Sequence, residues 1–542
     1  MASRQSKASA QRSALSPEER SKPHSDPTAP TRHLEVETKL EIGPSVELPN
    51  LSGRRSLKDL GVAAAAEPLV FDLNAVYFDT TDLDLLASKL TLRYRTGGED
   101  AGWHLKLPAV ADARTEVGLP PENSDFDALT ARVPAVLSDL VLGAARGKDL
   151  RPVARIRNRR TVRRYLDPDG TALVEVADDQ VTATHLSPTP DGWLESGTNS
   201  WRELEVELLA GDRQHLAAVV RLLIGAGATP ASSASKLGRA LQSTGRAAVR
   251  SKGAGAPVIS ALARLRDGLI STDRALREGT DRALYDARAT ARRIRSVLGV
   301  HAPLFTQGSV RHLRGELRYF GSVLSGARDL EVLRRRLGGQ LDDEPTDYAT
   351  VARARIDLEF GAVHPAALAE VAELIASQRY LEMLLAFDAF LATPPFSPRA
   401  GRSAVPELSN QLAAAWKELG SLVEKALADP LDDTAFHEVR KTVKALRYAA
   451  EADSPVLGDD VVVFAAALEE VQEELGEHQD AATSATWLAE LALRPDTDGI
   501  SGFVFGRLHA FEQAAAAGSA DDFSDAWARL VDRDLATVAF DR

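Results

Sequence analysis

Charged side chains occupy every second position in several short segments of the sequence, and the sign of the charge differs between segments. In LEVETKLEI, apolar residues alternate with Glu35, Glu37 and Lys39. In TLRYR, they alternate with Arg93 and Arg95. Because successive side chains of a β-strand point to opposite faces, each segment would have one ionic face and one apolar face. Carboxylates bind hard metal ions and cations bind phosphate, so the pattern predicts chemistry on a phosphate-rich substrate.

Three further segments add charged residues to this pattern. The segment WHLKLP contributes His104 and Lys106. The acidic positions are Glu175 and Asp179 in VEVADD, and Glu203, Glu205 and Glu207 in RELEVEL. If the strands close into a barrel, their ionic faces form a polar interior with carboxylates for metal and cations for phosphate. The alternative is an ordinary sheet whose charged face lies in solvent.

A triphosphate carries about four negative charges, so a tunnel that receives it needs several cations on its inner wall. Alternation places four cations there, namely Lys39, Arg93, Arg95 and Lys106. Arg160 in RNRRTV and Lys236 in SSASKLGRA are further candidates. Glu116 is either a weaker candidate for the site or part of a surface salt bridge. His104 is predicted to belong to the barrel wall rather than to bind metal, because no second histidine lies at ligand spacing.

The composition is that of a soluble globular protein with more than one domain. The 542 residues are 44% apolar and 26% charged, with a net charge of −13 and no cysteine. The negative charge argues against general affinity for nucleic acid or membranes, so any polyanion would need a local basic patch. The N-terminus lacks the apolar core of a signal peptide, and no apolar run is long enough to span a membrane. These features, with the absence of cysteine, predict a cytoplasmic protein.

The sequence divides into a strand-rich part and a helical part. Turn signals such as LDPDGT and SPTPDG separate the strand-like segments of the first part, whereas Ala, Leu, Arg and Glu recur at helical spacing in the second. The predicted divisions are a disordered tail (1–30), a strand-rich domain (31–245), a linker (246–257) and an all-α domain (258–542) with halves at about 258–400 and 401–542.

The helical part contains an internal repeat that carries a basic face. YDARATARRIR in the first copy matches HEVRKTVKALR in the second, with cations at offsets 0, +4 and +7. These offsets share one face of an α-helix, and the repeat predicts two similar bundles related by a pseudo-dyad. The matching cations are Arg288, Arg292 and Arg295 in the first copy, and Arg440, Lys444 and Arg447 in the second. They either bind a polyanion or pair with Asp329, Asp480 and Glu451 to fix helix packing.

Residues 33–245 resemble a CYTH domain, the fold also called a triphosphate tunnel metalloenzyme. The ExExK motif of that family is present as EVETK, and YFDT, LRYR, HLKLP, RRT and ELEVEL follow in the family's order. The resemblance implies an eight-stranded antiparallel barrel that hydrolyses or cyclises triphosphate substrates with Mg²⁺ or Mn²⁺. One position departs from the family pattern, because Asn158 stands where a second cation often precedes Arg160 by two residues.

This resemblance implies roles for individual residues. Glu35, Glu37 and Lys39 of the ExExK motif are the predicted catalytic residues. The predicted metal ligands are Glu35, Glu37, Glu203 and Glu205, together with Glu175 and Asp179 of the other acidic segment. The predicted phosphate-binding residues are Lys39, Arg93, Arg95, Lys106, Arg160 and Lys236.

Residues 258–542 resemble a CHAD domain, a helical module associated with binding of inorganic polyphosphate. The matching segments are RATARRIRS, GARDLEVL, HEVRKTVKALRYAAE and LGEHQDA. The first copy departs from the family at Tyr285, where histidine is usual, whereas the second copy keeps His437. The residues that the resemblance assigns to polyphosphate are Arg288, Arg292, Arg295, His437, Arg440, Lys441, Lys444 and Arg447.

The sequence therefore predicts an α+β protein in which an eight-stranded antiparallel tunnel barrel with flanking helices precedes an all-α domain of two pseudo-symmetric bundles. The predicted function is metal-dependent hydrolysis of a linear triphosphate, with inorganic triphosphate or polyphosphate as partner and no nucleic acid or membrane. The alternatives are a polyphosphate-binding scaffold without catalysis, an adenylate cyclase and a thiamine triphosphatase. The sequence predicts no particular oligomeric state.

Overall fold

The computed structural model describes most of the chain. The predicted tail, 1–30, lies outside the described residues except for its last position, and so do residues 246–252 of the predicted linker. The described residues are 30–108, 113–121, 127–190, 192–241, 253–280, 282–429 and 433–540.

Eight strands form a closed antiparallel ring in the first part of the chain. The strands of the described residues are β1 (Thr31–Glu41), β2 (Ala64–Ala65), β3 (Leu69–Asp79), β4 (Thr91–Thr96), β5 (Gly102–Lys106), β6 (Ala113–Leu119), β7 (Arg151–Leu166), β8 (Ala172–Thr189), β9 (Gly192–Leu208) and β10 (Thr229–Pro230). The ring order is β1–β6–β5–β4–β3–β7–β8–β9, and β9 pairs again with β1. The predicted eight-stranded antiparallel barrel is confirmed.

Helices flank the ring and form the whole of the second part. Those of the described residues are α1 (Arg55–Lys58), α2 (Asp84–Ala87), α3 (Ala135–Leu140), α4 (Leu142–Ala145), α5 (Arg213–Gly225), α6 (Lys236–Ala240), α7 (Gly255–Arg277), α8 (Ala283–Val300), α9 (Arg311–Leu341), α10 (Thr346–Ala376), α11 (Gln378–Ala392), α12 (Ala404–Ala428), α13 (Asp433–Leu457), α14 (Asp459–Ala492), α15 (Gly499–Asp532) and α16 (Leu535–Phe540). None of them is both long and apolar enough to cross a bilayer.

The strand alternation places apolar residues on the outside of the ring, where helices cover them. Leu40, Leu204 and Val206 are buried in one core cluster with Leu216 of α5. Helix α5 begins at a capping box, because the Asp212 side chain accepts hydrogen bonds from the backbone N–H groups of its first turn. The opposite faces of the same strands therefore point into the ring with their charged residues.

The pairing of β1 with β9, which closes the ring, also brings charged residues of the two strands opposite one another. Where β1 meets β9, Lys39 lies opposite Glu205 and Glu37 lies opposite Glu207. Directly opposed residues of an antiparallel pair project from the same face at close range. The register that completes the barrel therefore also brings the ExExK segment onto the acidic strand.

The two copies of the sequence repeat form corresponding helices. The first basic segment lies in α8 and the second in α13, and the acidic residues that follow them, Asp329 and Asp480, lie in α9 and α14. Helices α8 and α13 contact each other. Their apolar faces contribute Ile294 and Val443 to one shared core cluster. The two basic faces consequently belong to neighbouring helices.

The chain divides into two compact units, but not by a single cut. The first unit contains Met1–Phe78, Lys89–Ala131 and Pro152–Ser243, and the second contains the remainder. The second unit thus includes 79–88 and 132–151, which lie between barrel strands in the sequence. Within this unit, Leu142 packs against the large helical core. The Arg146 side chain is almost fully buried and its Nε donates to Asp388 at 2.8 Å.

We expect a chain ending at residue 245 to be less stable than the full chain, because this truncation removes Asp388 and the core beneath Leu142. A buried guanidinium left without its carboxylate costs about 3–5 kcal/mol. The melting temperature should fall by at least about 5 °C, and residues 132–151 should become the first site of limited proteolysis. Equal melting temperatures and equal protection of that segment in both chains would contradict this expectation.

Candidate functional site

A cavity of about 430 Å³ lies inside the ring, and its wall consists mainly of charged side chains. The structure brings ten of the predicted site residues together on this wall. They are Glu35, Glu37, Lys39, Arg93, Arg95, Lys106, Arg160, Glu175, Glu205 and Lys236. These residues come from six strands and one helix, so only the closed ring assembles them.

The Lys236 ammonium group forms the centre of one ionic cluster. Lys236 is the first residue of α6. The preceding residue, Ser235, caps this helix, because its hydroxyl accepts a hydrogen bond from a backbone N–H group of the first turn. The Lys236 Nζ atom lies 2.9 Å from Asp179, 2.7 Å from Glu203 and 2.7 Å from Glu205. A single cation thus neutralises part of the charge of three buried carboxylates.

Arg160 of β7, the strand next to β8, completes this cluster. Its Nε and Nη2 atoms donate to the two carboxylate oxygens of Asp179 at 2.8 and 2.6 Å, and Nη2 also contacts Glu205. Burial alone would raise the pKa of Asp179, but Lys236 and Arg160 outweigh it and lower this pKa to about 2. Asp179 therefore carries its negative charge at any ordinary pH.

Carboxylates predominate on another part of the cavity wall. The Lys106 Nζ atom lies 2.5 Å from Glu35 and 3.2 Å from Glu116, and Lys39 lies 3.2 Å from Glu37. Burial raises the pKa of Glu35, with Glu116 and Glu37 adding to the effect of burial while Lys106 opposes it. The pKa of Glu207 is raised to about 7, first by burial and then by neighbouring carboxylates. The neighbours that raise it are Glu35, Glu175 and Glu37.

The charges on the cavity wall balance one another within the protein. Eight carboxylate side chains and eight lysine or arginine side chains line it. A triphosphate with about four negative charges would therefore leave the cavity strongly negative. Two divalent cations would restore the balance, and an all-oxygen donor set suits Mg²⁺ or Mn²⁺. The residues present fit a hard divalent metal on this electrostatic ground.

The six predicted metal ligands do not form one group. Ligand atoms of Asp179, Glu203 and Glu205 lie within 4.8 Å of one another, which is a metal-like spacing. However, Lys236 contacts all three, and Asp179 and Glu203 do not line the cavity. The other members, Glu35, Glu37 and Glu175, lie on the carboxylate-rich part of the wall. The six predicted ligands therefore stay a prediction, divided between two carboxylate groups, one of which already has a cation of the protein as its partner.

Sequence reasoning left six charged lining residues out of the predicted site. They are Glu99, Asp100, Arg114, Glu116, Arg164 and Glu207. Glu207 shares the alternation of Glu203 and Glu205, so the signal for it was available. Glu116 is buried and contacts His104 and Lys106 rather than forming a surface salt bridge. His104 also lines the cavity, but both of its ring nitrogens have protein partners, Glu116 and the backbone carbonyl of Asp100.

A second cavity of the first unit, about 1130 Å³ in volume, has a different lining. Asn158 lines it and does not line the 430 Å³ cavity. Trp201 also lines it, with the Arg239 guanidinium 5.0 Å from the ring centroid. The position at which the sequence departs from the family pattern therefore belongs to this larger, less acidic space.

The basic faces of the helical unit contain both paired and unpaired cations. Arg288 donates to Asp329 at 2.6 Å, Arg447 contacts Glu469, and the exposed Lys441 lies 2.7 Å from Glu438. For these three residues the predicted pairing alternative describes the contacts. Arg447 also lies 3.5 Å from Glu451, one of the predicted partners, and only Lys441 pairs exclusively with a carboxylate outside the predicted set. By contrast, no ion pair joins a carboxylate to the remaining predicted cations in the part of the chain that the structure describes. These cations are Arg292, Arg295, Arg440 and Lys444.

Lys444 is the most deeply buried of the unpaired cations, with only 9% of its surface exposed. Burial lowers its pKa to about 6, and the charges of Arg440 and Arg292 lower it further than Asp480 raises it. An ammonium group in such surroundings is unstable without an anion. The site is therefore electrostatically incomplete by itself.

The ring residue ahead of each basic face has a different partner in the two copies. The His437 Nδ1 atom lies 2.8 Å from the Gln479 side-chain oxygen. In the first copy the corresponding pair is Tyr285 and Arg328, with the guanidinium 5.4 Å from the centre of the tyrosine ring. The change from histidine to tyrosine is thus accompanied by a cation in place of an amide.

Family models match both parts of the chain. The CYTH domain model matches residues 33–237, and the CHAD domain model matches residues 260–489. An uncharacterized protein of Mycobacterium tuberculosis, found in two strains, is 34% identical over 496 residues. The alignment covers 89% of this chain and 93% of that protein.

Solved structures are similar to separate parts of the chain. PptA from Streptomyces chartreusis is 24% identical, with a TM-score of 0.45 and coverage of 51% of this chain and 99% of its own. The CHAD domain from the plant Ricinus communis is 22% identical, with a TM-score of 0.43 and coverage of 53% and 97%.

Replacement of Lys236 tests the ionic cluster. We expect Lys236→Ala to destabilise the protein by about 3–5 kcal/mol, because three buried carboxylates lose the cation that they share. The double variant Lys236→Ala with Asp179→Asn should recover part of this loss, since one uncompensated charge is then removed. Lys58→Ala, at an exposed position, is the control and should leave stability within about 0.5 kcal/mol. Denaturant unfolding measures all three, and a double variant less stable than Lys236→Ala would contradict the interpretation.

Proposed function

This chain belongs to the proteins in which a CYTH domain precedes a CHAD domain, and we propose that its barrel is a metal-dependent triphosphatase. The proposed substrate is a linear triphosphate, with inorganic triphosphate as the first candidate and Mg²⁺ or Mn²⁺ as the cofactor. The observation that supports this most strongly is the balanced set of eight acidic and eight basic side chains around one enclosed cavity. Such a wall suits a ligand that is anionic and arrives with compensating cations.

Exchange of ion-pair partners is the first step of the proposed mechanism. In the structure, Lys39 and Lys106 are paired with glutamates. Phosphate oxygens would replace these glutamates as partners of the ammonium groups, while Arg93 and Arg95 hold the chain through their guanidinium groups. The displaced carboxylates, Glu35 and Glu37 among them, would hold the metal. Substrate and metal should therefore strengthen each other's binding, because each compensates the charge that the other exposes.

The chemical step is an in-line displacement at the terminal phosphorus. A water oxygen forms a bond to this phosphorus while the bridging P–O bond breaks, giving orthophosphate and a diphosphate, and the proton that the water loses passes to solvent. Lysine and arginine side chains on the wall stabilise charge on the equatorial oxygens and on the leaving group. A bound divalent metal would add further charge neutralisation. The enclosed wall orients the linear substrate so that the attacking water approaches its end.

Three alternatives make different predictions in a substrate panel. Phosphate release from inorganic triphosphate, thiamine triphosphate and ATP, each with Mg²⁺ or Mn²⁺, separates the candidate triphosphatase activities. Cyclic AMP formed from ATP would identify a cyclase. Binding of triphosphate without turnover of any member of the panel would identify a scaffold and overturn the proposed activity.

Glu37→Gln should abolish metal-dependent hydrolysis while preserving the fold. The substitution keeps the shape of the side chain but removes a negative charge from the cavity wall, so we expect kcat to fall by at least about 100-fold. Glu67→Gln, an exposed position outside the cavity, is the matched control and should retain full activity. Normal turnover in Glu37→Gln, measured as phosphate release at saturating metal, would remove Glu37 from the proposed mechanism.

We further propose that the helical unit binds inorganic polyphosphate through the unpaired cations on α8 and α13. The observation that supports this is the buried Lys444 beside Arg292 and Arg440, with no carboxylate at ion-pairing distance in the described residues. A condensed phosphate chain supplies closely spaced negative charges without needing a metal. Phosphate oxygens beside Lys444 would favour its protonated form.

Polyphosphate affinity should fall as the pH rises from 6 to 8. Because the pKa of Lys444 is about 6 in the protein alone and bound phosphates raise it, binding takes up a proton over this range. The dissociation constant should increase by up to about tenfold per pH unit. Ionisation of the chain ends acts in the opposite direction, so a long chain with few ends is the best probe.

Two variants separate Lys444 from other groups that titrate nearby. Lys444→Arg keeps its charge throughout the range and should bind with little dependence on pH. His437→Gln, which removes the imidazole from the same face of α13, should keep the dependence of the wild type. The charged groups facing Lys444 from adjacent helices are Arg288, Arg292 and Asp480. A pH dependence that survives in Lys444→Arg would contradict this assignment.

A further inference from the structure

A group of three arginines, of which the sequence repeat identifies only Arg295, extends the basic surface of the helical unit. Arg295 belongs to α8, whereas Arg314 and Arg318 belong to the first turns of α9 and lie outside the repeated motif. In the described part of the chain, no carboxylate lies within ion-pairing distance of any of the three. Glu316, between them in sequence, pairs instead with Arg379 at 2.7 Å.

A glycine on α8 makes room for one of these arginines. Gly299 lies one turn beyond Arg295, and a Cβ atom at this position would be 3.1 Å from the Arg314 Nη2 atom. The Arg314 guanidinium therefore lies against the backbone of α8, where an added Cβ atom would require it to move by a few tenths of an ångström. The Arg314 Nε atom is buried and has no hydrogen-bond partner. This is a fixed cation with unused hydrogen-bonding capacity.

The three arginines are close enough to one another to repel. Burial lowers the pKa of Arg295, and the charges of Arg318, Arg314 and Arg292 lower it further. Burial and the charge of Arg318 also lower the pKa of Arg314. Arg292 belongs to the proposed polyphosphate surface as well, so it connects this arginine group to Arg440 and Lys444. The cations thus belong to one group of mutually interacting charges on three helices.

We propose that Arg295, Arg314 and Arg318 form a second phosphate-binding site, which holds the continuation of a condensed phosphate chain whose first segment lies at Arg292, Arg440 and Lys444. This inference rests on the proposed binding of polyphosphate by the helical unit. Guanidinium groups bind phosphate oxygens in pairs, and a flexible chain can follow cations from one helix to the next. The protein's net charge of −13 disfavours duplex nucleic acid or an anionic membrane as the ligand.

The site predicts a dependence on chain length. A long chain can contact both groups of cations together, whereas tripolyphosphate has only three phosphates and is also the proposed ligand of the barrel, so we expect its affinity to depend little on Arg314 and Arg318. In the full-length protein, Arg314→Ala with Arg318→Ala should therefore weaken long-chain polyphosphate at least about tenfold and reduce the salt dependence of binding, since fewer counterions are released. The affinity for tripolyphosphate should stay within about twofold.

The matched control removes two arginines from the same helix at a different place. Arg334→Ala with Arg335→Ala makes the same change in net charge about five turns further along α9 and should leave both affinities almost unchanged. An equal loss of long-chain affinity in the two double variants would show a general charge effect and overturn the proposed site. Equal losses for tripolyphosphate and for the long chain in Arg314→Ala with Arg318→Ala would also overturn it.

Gly299→Ala tests the geometry without changing any charge. The new methyl group should shift the Arg314 guanidinium by a few tenths of an ångström and weaken long-chain binding. Alanine favours a helix more than glycine does, so loss of the fold would not account for this result. Long-chain affinity equal to that of the wild type would contradict the role of Gly299 and of the Arg314 position that it permits.

The same measurements separate this site from the proposed function on which it rests. If Arg440→Ala with Lys444→Ala leaves all polyphosphate binding intact, the proposed surface on α13 fails, and the inference of a chain that continues from it fails as well. If that variant loses binding but Arg314→Ala with Arg318→Ala does not, only the second site fails. Stronger binding of duplex DNA or of phosphatidylserine vesicles than of long-chain polyphosphate would overturn the assigned ligand class.

Discussion

Burial of many charges inside a closed ring is the constraint on which the barrel depends. A carboxylate or ammonium group loses several kcal/mol of hydration when it is buried, so each must meet an opposite charge at close range. Lys236 satisfies three carboxylates at once, and Arg160 binds Asp179 through two nitrogens. These contacts join α6, β7, β8 and β9. Correct strand register and charge neutrality are thus the same requirement, since a one-residue slip of any strand would turn its charges outward.

A neutral but strongly ionic wall also explains how such a site could select its ligand. A simple anion would leave the carboxylates uncompensated, and a metal alone would leave the ammonium groups uncompensated. A phosphate chain with divalent cations satisfies both sets together. Glu35 and Glu207 have raised pKa values because the positive charge around them does not offset their burial and the repulsion by neighbouring carboxylates. A bound metal would therefore stabilise the carboxylate-rich part of the wall around Glu35 and Glu207 most.

The sequence predicts the barrel well because strand alternation is a local property. Glu37, Arg93 and Glu205 can be assigned to one interior face from the order of residues alone, since the period of two determines it. Alternation does not reveal which partner each charge meets across the ring. The division of the metal-ligand set follows from Lys236, which enters from α6, a helix that comes after β9 in the sequence. Likewise, the contact of Arg146 with Asp388 joins residues 242 positions apart, and no local pattern predicts it.

Buried cations of the barrel have carboxylate partners, whereas some of those in the helical unit do not. This contrast bears on function. In the barrel, Lys106 and Lys236 have carboxylate partners within 3 Å. In the helical unit, Lys444 is comparably buried and has none among the described residues. A folded domain keeps an unpaired buried ammonium only if other interactions tolerate its cost, and it removes that cost when an anion binds. The free energy of folding that the unpaired Lys444 costs thus adds to the free energy of anion binding. For this reason the missing partner, rather than the number of basic residues, is the strongest physical indication of a polyanion site in this unit.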